Sequence, residues 1–512
     1  MLNGSHLFSQ RVESSCKLRH VPTIGSSSLL SSYIGALQFY KRGHEMIREG
    51  YQKHYGGAFK VPMVSKWMVV ITGPDMINDI RKSSDDQLSS REAIAEHSIA
   101  DSIQTAQSDY MISPQIRLDP YHVAVVRTPL TRNLGIRFDD IKDEIAASFA
   151  DLVPLNGDAK LTDWTHVSVY STVLKIVCRT SNRVFVGLPL CRNPDYRQLN
   201  EQFTLDVMEG ARFINMFPTF LRPLPWHIHW RNSVIGRLQT KASKKIDKAI
   251  FHAGALFQEQ LDKERQYGKD RPDKPILTVS SQNNLISWLV DVANGEQREI
   301  RDLVVRLLSV NFGAIHTTTM AFTHIIYDLA TYPDYIKPLR EEVESVIKTE
   351  GWSKVSTNLN VSLLGVYVDS FQNSVMMRRK VVKDFTFSNG ITLPAGTHLA
   401  VATNATHMDE NKYENPKEFR GFRFAEMREK EGESKQHQMI SLSLDYGTFG
   451  IGKHACPGRF FAVNELKTML AHVLLNYDIK LANDDRRPEN FWFSGNCIPN
   501  RTAEVMFRRR LA

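Results

Sequence analysis

The chain has 512 residues, of which 42% are hydrophobic, and a formal charge of +8. This is enough apolar material for a large core, and the charge is too modest and too dispersed to favour nucleic-acid binding. The five cysteines offer neither a disulfide framework nor a second cysteine or histidine at zinc-site spacing, so they indicate a reducing compartment.

The N-terminal segment, residues 1–21, is polar and lacks an apolar run. It predicts neither a membrane-spanning helix nor a secretory signal. Further along, residues 213–226 bring aromatic side chains and prolines together in the stretch FINMFPTFLRPLPW. This composition fits either peripheral contact with a membrane or a buried structural loop.

A long helix is predicted from Leu303 to Ala330, where the sequence has no proline and few charges before Tyr332-Pro333 ends it. At 1.5 Å per residue this helix is about 40 Å long, enough to cross a large domain. A membrane span would place several polar side chains in lipid, so we expect a helix through a protein core. These side chains are Asn311, His316, Thr317, Thr318, Thr319, His324 and Asp328.

A single cysteine, Cys456, lies between a glycine-rich stretch and an apolar helix, in the sequence Phe449-Gly-Ile-Gly-Lys-His-Ala-Cys-Pro-Gly458. Pro457 suits the first position of that helix. Apolar residues then recur at helical spacing, at Phe460, Val463, Leu466, Leu470 and Val473. Free backbone N–H groups at a helix N-terminus favour a thiolate, which is the form of cysteine that binds metal.

Gly452 and Gly458 leave room for a flat macrocycle against the backbone, and Phe449 is placed to cover the sulfur. The alternative is that Cys456 is a small buried hydrophobic residue, as isolated cysteines often are. The length and order of the surrounding motif favour a metal ligand.

This stretch meets every fixed position of the pattern Phe-x-x-Gly-x-(Arg/His)-x-Cys-x-Gly, and the chain therefore resembles the cytochrome P450 family. The resemblance implies a mainly α fold with small β-sheets, in which haem b lies between the long central helix and the cysteine loop. It implies one domain over residues 22–512, preceded by the polar segment 1–21. Cys456 would be the axial thiolate ligand, with Phe449, Gly450, Gly452 and Gly458 around the haem.

Within the central helix, Gly313-Ala-Ile-His-Thr-Thr318 resembles the family's oxygen-activation pattern, (Ala/Gly)-Gly-x-(Asp/Glu)-Thr-Thr. The resemblance makes the Thr317 hydroxyl the proton-transferring group, although a mid-helix threonine commonly bonds back to the preceding turn. His316 stands in the position of the acid. Two roles remain open for it: a proton relay, since imidazole titrates near neutrality, or a capping or salt-bridge substitute.

Haem carries two propionates, which need charged or polar donors when buried. The family places such donors at the positions of His454 and Arg379. His122 and Arg127 fill the place of a further donor helix, but the family's Trp-x-x-x-Arg spacing is absent there. Both of these residues fit a surface or packing role equally well.

One family element is missing. Phe419-Arg-Gly-Phe-Arg423-Phe424 resembles the segment whose arginine joins a Glu-x-x-Arg helix, yet Ser374 and Met377 stand where that glutamate and arginine should be. We expect this loss to leave Arg423 unpaired, at a cost of about 3–5 kcal/mol in a dry site. A deletion in a damaged paralogue, a faulty exon boundary and a rewired enzyme each account for it.

The implied activity is that of a monooxygenase, which takes electrons from NADPH-cytochrome P450 reductase and inserts oxygen into a hydrophobic small molecule. The segments Asp369–Phe371, His407–Asp409 and Cys456–Ala462 resemble fungal members, which suggests secondary metabolism. Substrate contacts are expected from residues 97–120, 213–226 and 494–499 and from the central helix.

The reductase would dock on a basic face that includes Lys453, Arg459 and Lys467. The resemblance implies a monomer on the cytosolic face of the endoplasmic reticulum, whereas the absence of a spanning segment leaves a soluble cytosolic protein open. Two other functions also remain open: an inactive paralogue or splice product, and a reductase-independent isomerase or dehydratase.

Overall fold

The fold was analysed in a computed structural model of the full chain. It describes residues 16–26, 28, 31–63, 66–95, 116, 118–153, 163–214, 234–267, 283–354, 373–433, 436–482 and 486–510. Residues 1–15 and most of the expected substrate-contact segments 97–120 and 213–226 lie outside them, as do residues 369–371.

Fourteen α-helices make up most of the described chain. They are α1 (Ser31–Lys53), α2 (Pro74–Lys82), α3 (Ser90–Ala95), α4 (Tyr121–Val125), α5 (Phe138–Leu152), α6 (Val169–Phe185), α7 (Pro194–Ile214), α8 (Val234–Tyr267), α9 (Leu285–Val292), α10 (Ile300–Thr331), α11 (Ile336–Glu350), α12 (Thr403–His407), α13 (Arg423–Glu429) and α14 (Arg459–Asn476). Short 3₁₀ turns connect several of them, and a π-helical turn, Val126–Leu130, follows α4 directly.

Among the described residues, twelve short strands form four small sheets. They are β1 (Ala58–Pro62), β2 (Trp67–Ile71), β3 (Leu88–Ser89), β4 (Thr165–Ser168), β5 (Met376–Val381), β6 (Phe385–Thr386), β7 (Thr392–Leu393), β8 (His398–Val401), β9 (Tyr477–Leu481), β10 (Phe491–Phe493), β11 (Asn496–Ile498) and β12 (Glu504–Arg509). The largest sheet has the order β1-β2-β8-β5-β3, and a second has the order β4-β12-β9. The remaining two are the hairpins β6-β7 and β10-β11.

The central helix α10 runs through the main hydrophobic core and packs against α6, α7, α8 and α14. Its apolar side chains are buried around almost the whole circumference, for example Leu303, Leu308 and Phe322. A helix that is apolar on all sides has to be surrounded by protein or lipid. No helix among the described residues is both long and apolar enough to cross a membrane.

The sequence-based fold class, mainly α with small sheets, is confirmed. The predicted central helix is also confirmed, since α10 spans Ile300–Thr331 and ends at Tyr332. The predicted start of the helix after Cys456 is wrong: α14 begins at Arg459, with Gly458 as its N-cap, and Pro457 lies outside it. Two residues, Pro457 and Gly458, therefore separate the cysteine from the first helical position.

Candidate functional site

Local hydrogen bonds give the cysteine loop its shape. The Gly450 N–H donates to the Gly447 carbonyl at 2.9 Å, and the Cys456 N–H donates to the Phe449 carbonyl at 2.7 Å. Gly450 and Gly452 have φ angles of +70° and +64°, a region that side chains strongly disfavour. The loop closes on itself, and the thiol is presented at its end.

The two glycines expected to face a macrocycle have other neighbours. A Cβ on Gly452 would lie 3.0 Å from the Arg81 side chain and 3.3 Å from its carbonyl, and one on Gly458 would lie 3.6 Å from Val126. Gly452 is thus explained by its backbone angle and by close packing against α2. For Gly452 the structure therefore gives a reason different from the one predicted, whereas the contact at Gly458 is an ordinary van der Waals distance.

Two opposing effects act on the Cys456 thiol, which is partly buried. Burial is the larger effect and raises the pKa of Cys456 above its usual value, whereas the backbone N–H groups of Gly458 and Arg459 and the Arg459 charge lower it and offset part of this rise. The N–H groups at the start of α14 thus favour the thiolate, as the sequence indicated. A cationic metal centre would act in the same direction as these N–H groups.

An exposed stripe interrupts the otherwise buried surface of the central helix. Gly313 and Thr317 are exposed, and Phe312 and Met320 are partly exposed, although the helix turns on either side are buried. Apart from the helix backbone and the two neighbouring residues, no described atom lies within 4 Å of a Cβ built on Gly313. Open space inside a protein core is costly, so this space is where a ligand belongs.

Thr317 lies on this stripe. Its hydroxyl donates to the Gly313 carbonyl at 2.7 Å, one helical turn back. This is the ordinary bond of a mid-helix threonine, yet the exposed oxygen keeps lone pairs that can accept a hydrogen bond from water. The position therefore allows the expected role in proton transfer without requiring it.

His316, the neighbouring residue, points away from this stripe. It is 7% exposed, and its Nε2–H donates to the Glu201 carbonyl of α7 at 3.1 Å. Burial lowers the pKa of His316 to about 4, so the ring is neutral at physiological pH. The side chains of His316 and Thr317 therefore do not act on the same side of α10. The hydrogen bond from His316 to α7 favours the structural alternative over a proton relay.

The replacement His316→Gln is expected to make the protein less acid-sensitive. A histidine whose pKa is lowered on folding stabilises the fold fully above its unfolded value near 6.5, and this contribution disappears as the pH falls towards 4. The wild type should lose about 3 kcal/mol more than the variant over that interval. Denaturant unfolding at pH 7 and pH 4.5 checks this, and equal losses would show that His316 is protonated in the folded state.

Arg379 and His454 lie near each other behind the loop. Arg379 is 5% exposed, its Nη1 donates to the Arg378 carbonyl at 2.8 Å, and its Nε has no hydrogen-bond partner among the described residues. Burial lowers the pKa of Arg379 to about 10, and the nearby Asp85 raises it. A buried guanidinium with an unused N–H fits a carboxylate ligand such as a haem propionate.

His454 already has two protein partners. Its Nε2 lies 2.7 Å from an Asp85 carboxylate oxygen and its Nδ1 lies 3.1 Å from the Ser90 hydroxyl. Burial lowers the pKa of His454, with Arg379 adding to this and Asp85 opposing it. No pattern in the sequence points to Asp85, which is 369 residues away from His454.

Of the other two predicted donors, His122 is turned towards the central helix. Its Nδ1 lies 3.3 Å from Arg306, a buried arginine that also donates to the Asp119 carbonyl and stacks on Tyr121. Arg127, in the π-helical turn, is exposed and donates to the Lys453 carbonyl at 3.1 Å. Arg127 therefore lies beside the cysteine loop, whereas His122 belongs to a packing cluster.

The expectation that Arg423 is unpaired is wrong. Its guanidinium donates to the backbone carbonyls of Glu414, Asn415 and Glu418. A turn of the preceding chain wraps around the side chain and supplies neutral acceptors, so no buried charge is left without partners. Ser374 is buried beside Gly495, and Met377, with a φ of +52°, packs against Gly447 of the cysteine loop.

The residues present fit haem held by a cysteine thiolate. The thiol stands at a loop end, the buried Arg379 has an unused donor, and open space lies beside Gly313. A buried donor without a partner and open space beside a core helix are both costly to maintain in a core that holds nothing.

Comparison with known proteins agrees with this geometry. The sequence pattern of the family described as Cytochrome P450 matches residues 28–507. Cytochrome P450 monooxygenase 151 of Postia placenta is 39% identical over 499 residues, covering 96% of this chain and 94% of that protein. Cytochrome P450 monooxygenase CYP512U6 of Ganoderma lucidum is 30% identical over 499 residues, covering 96% and 92%. Cytochrome P450 monooxygenase paxQ of Penicillium paxilli is 30% identical over 507 residues, with the same coverage.

Proposed function

The chain belongs to the cytochrome P450 family, and on that premise we propose that it oxidises a hydrophobic small molecule in fungal secondary metabolism, with electrons from an NADPH-dependent reductase. The observation that carries the proposal is the Cys456 thiol, held at a loop end by the Phe449 carbonyl and facing the N–H groups of Gly458 and Arg459. These N–H groups lower the pKa of the thiol against the effect of burial, and so act in favour of the thiolate that binds haem iron.

When bound, haem supplies the redox chemistry that activates dioxygen. Cys456 would hold it from one side. Arg379 would donate its free Nε–H to a propionate, and His454 would support that region through its bond to Asp85. Gly313 leaves space for small molecules beside α10, and Thr317 would hold a proton-donating water there.

We place the docking surface for the reductase around the cysteine loop. Lys453 and Arg127 present charge there, and Arg127 is tied to the loop backbone. The ammonium of Lys453 lies 3.3 Å from Asp85, so part of its charge is neutralised locally. We propose that the enzyme works as a monomer on the cytosolic face of the endoplasmic reticulum, where such a reductase is anchored.

The test uses the full chain loaded with haem. The reduced protein under carbon monoxide should give the strongly red-shifted Soret band of thiolate-ligated haem. Reductase and NADPH should then yield product labelled from ¹⁸O₂. A Soret band at an imidazole-like position would refute the haem-thiolate site, and unlabelled product formed without reductase would establish the isomerase or dehydratase alternative.

The replacement Thr317→Val is expected to uncouple electron consumption from product formation. Valine keeps the shape but removes the hydroxyl, and general acid–base assistance typically contributes about 10²–10⁴-fold. Product per NADPH should fall by about 100-fold, the lower end of that range, with more hydrogen peroxide released and haem binding unchanged. Thr318→Val, next along the buried side of α10, is the control; wild-type coupling in Thr317→Val would exclude the hydroxyl from proton transfer.

A further inference from the structure

Contacts from residues 407–413 hold the beginning of the loop that carries Cys456. Three consecutive residues, Asp445 to Gly447, form what we call the entry segment. The Gly447 N–H donates to the Nε2 of His407 at 3.3 Å, and the His407 ring stacks on Tyr446 with centroids 5.5 Å apart. The Asp445 carboxylate pairs with Lys412, and its carbonyl accepts from the Tyr413 hydroxyl at 3.2 Å.

The entry segment is connected to the thiol by two further hydrogen bonds. The Gly447 carbonyl accepts from the Gly450 N–H, and the Phe449 carbonyl accepts from the Cys456 N–H. A shift of Gly447 would therefore move the turn at Gly450 and, with it, the carbonyl that orients Cys456. Nothing else among the described residues is bonded to the Gly447 N–H.

His407 is suited to accept the hydrogen bond from the Gly447 N–H, but its second ring nitrogen is then left without a partner among the described residues. It is 3% exposed, and a nitrogen that accepts from an N–H carries no proton, so the proton resides on Nδ1. That Nδ1 has no hydrogen-bond partner among the described residues. Burial, aided by the Lys412 charge, lowers the pKa of His407 to about 3, so the accepting form persists across physiological pH. A buried unsatisfied donor calls for an explanation.

We propose that His407 is a positioning residue for the haem ligand: by accepting the Gly447 N–H and stacking on Tyr446, it sets the orientation in which the cysteine loop presents Cys456. The proposal rests on the proposed haem-thiolate function. It also gives the loop a support independent of the Glu-x-x-Arg motif that the sequence lacks, because this support comes from residues 407–413.

The test compares His407→Phe, which keeps an aromatic ring over Tyr446 but has no acceptor, with His407→Gln, whose side-chain oxygen reaches the same place. Loss of one hydrogen bond of this kind should speed exchange of the Gly447 amide about tenfold in His407→Phe. In the same variant, the reduced carbon monoxide complex should shift from the thiolate-type band towards the imidazole-like position. His407→Gln should restore both properties to near wild-type values.

The control is His472→Phe in α14, where another histidine packs between aromatic rings, those of Phe149 and Tyr477. It should leave Gly447 exchange and the carbon monoxide spectrum unchanged. Wild-type exchange and spectrum in His407→Phe would overturn the proposal, as would equal defects in His407→Phe and His407→Gln.

If His407→Phe does not accumulate as folded protein, the pair His407→Gln and His407→Asn makes the same comparison, because asparagine is one methylene too short to reach Gly447. Amide exchange measured without haem separates this proposal from the proposed function. Absence of the thiolate-type band in the wild type would refute the function, whereas unchanged Gly447 exchange in the variants would refute the role of His407.

Discussion

Replacing Cys456 with serine should abolish the red-shifted carbon monoxide band completely, together with all reductase-dependent turnover. A serine hydroxyl fills the same place at the loop end but does not ionise near neutral pH, so it offers no thiolate to iron. The fold should survive, because the swap is nearly isosteric at a partly buried position, with a change in unfolding free energy below about 1.5 kcal/mol. Absorption spectra and denaturant unfolding measure the two effects separately.

Two other cysteines provide controls for this prediction. Cys16 is exposed, and Cys497 is buried in β11. Serine at either position should leave the spectrum unchanged, although Cys497→Ser should cost some stability because it buries a hydroxyl. A red-shifted band that persists in Cys456→Ser and disappears in one of the controls would assign the ligand to a different residue.

Replacing Arg379 with leucine should have opposite effects on the protein without haem and with it. Without haem, the change removes a buried guanidinium whose Nε has no partner among the described residues, and the free energy of unfolding should rise by about 1 kcal/mol. With haem, the change removes a charge-assisted hydrogen bond worth about 1.5–3 kcal/mol, so haem should dissociate about 10- to 150-fold more readily. Thermal unfolding of both forms and haem transfer to an acceptor protein measure these effects.

Two further variants, one intermediate and one control, test the Arg379 prediction. Arg379→Lys keeps the charge but loses the planar fork, so haem retention should fall between that of the wild type and the leucine variant. Arg378→Leu changes the adjacent residue of β5, which is only partly buried, and should leave haem retention unchanged. Unchanged retention in Arg379→Leu would mean that this guanidinium does not contact the propionates.

The sequence was most informative where the signal is local and continuous. The central helix was predicted within three residues of its ends, because an uninterrupted apolar run before Tyr332-Pro333 leaves few alternatives. The start of α14 was misplaced for an equally local reason. Pro457 suits a helix start, but the bond from the Cys456 N–H to Phe449 holds this region outside the helix until Arg459.

The partners of the histidines were beyond the reach of any local pattern. His454 meets Asp85, His316 meets Glu201 and His407 meets Gly447, across 369, 115 and 40 residues. The partners of Arg423 were missed although they lie 5 to 9 residues away, because they are backbone carbonyls, and every residue has one. Side-chain identity therefore carries no information about them.

The sequence by itself predicted Cys456 as the ligand and determined the central helix, because a haem-thiolate site needs a fixed order of residue types within one loop and one helical turn. Only the tertiary structure decided how this site is supported: which histidine is neutral and buried, where Arg423 finds its acceptors, and what holds the cysteine loop from behind. These properties depend on burial and on contacts between distant segments, and both arise only when the chain is packed.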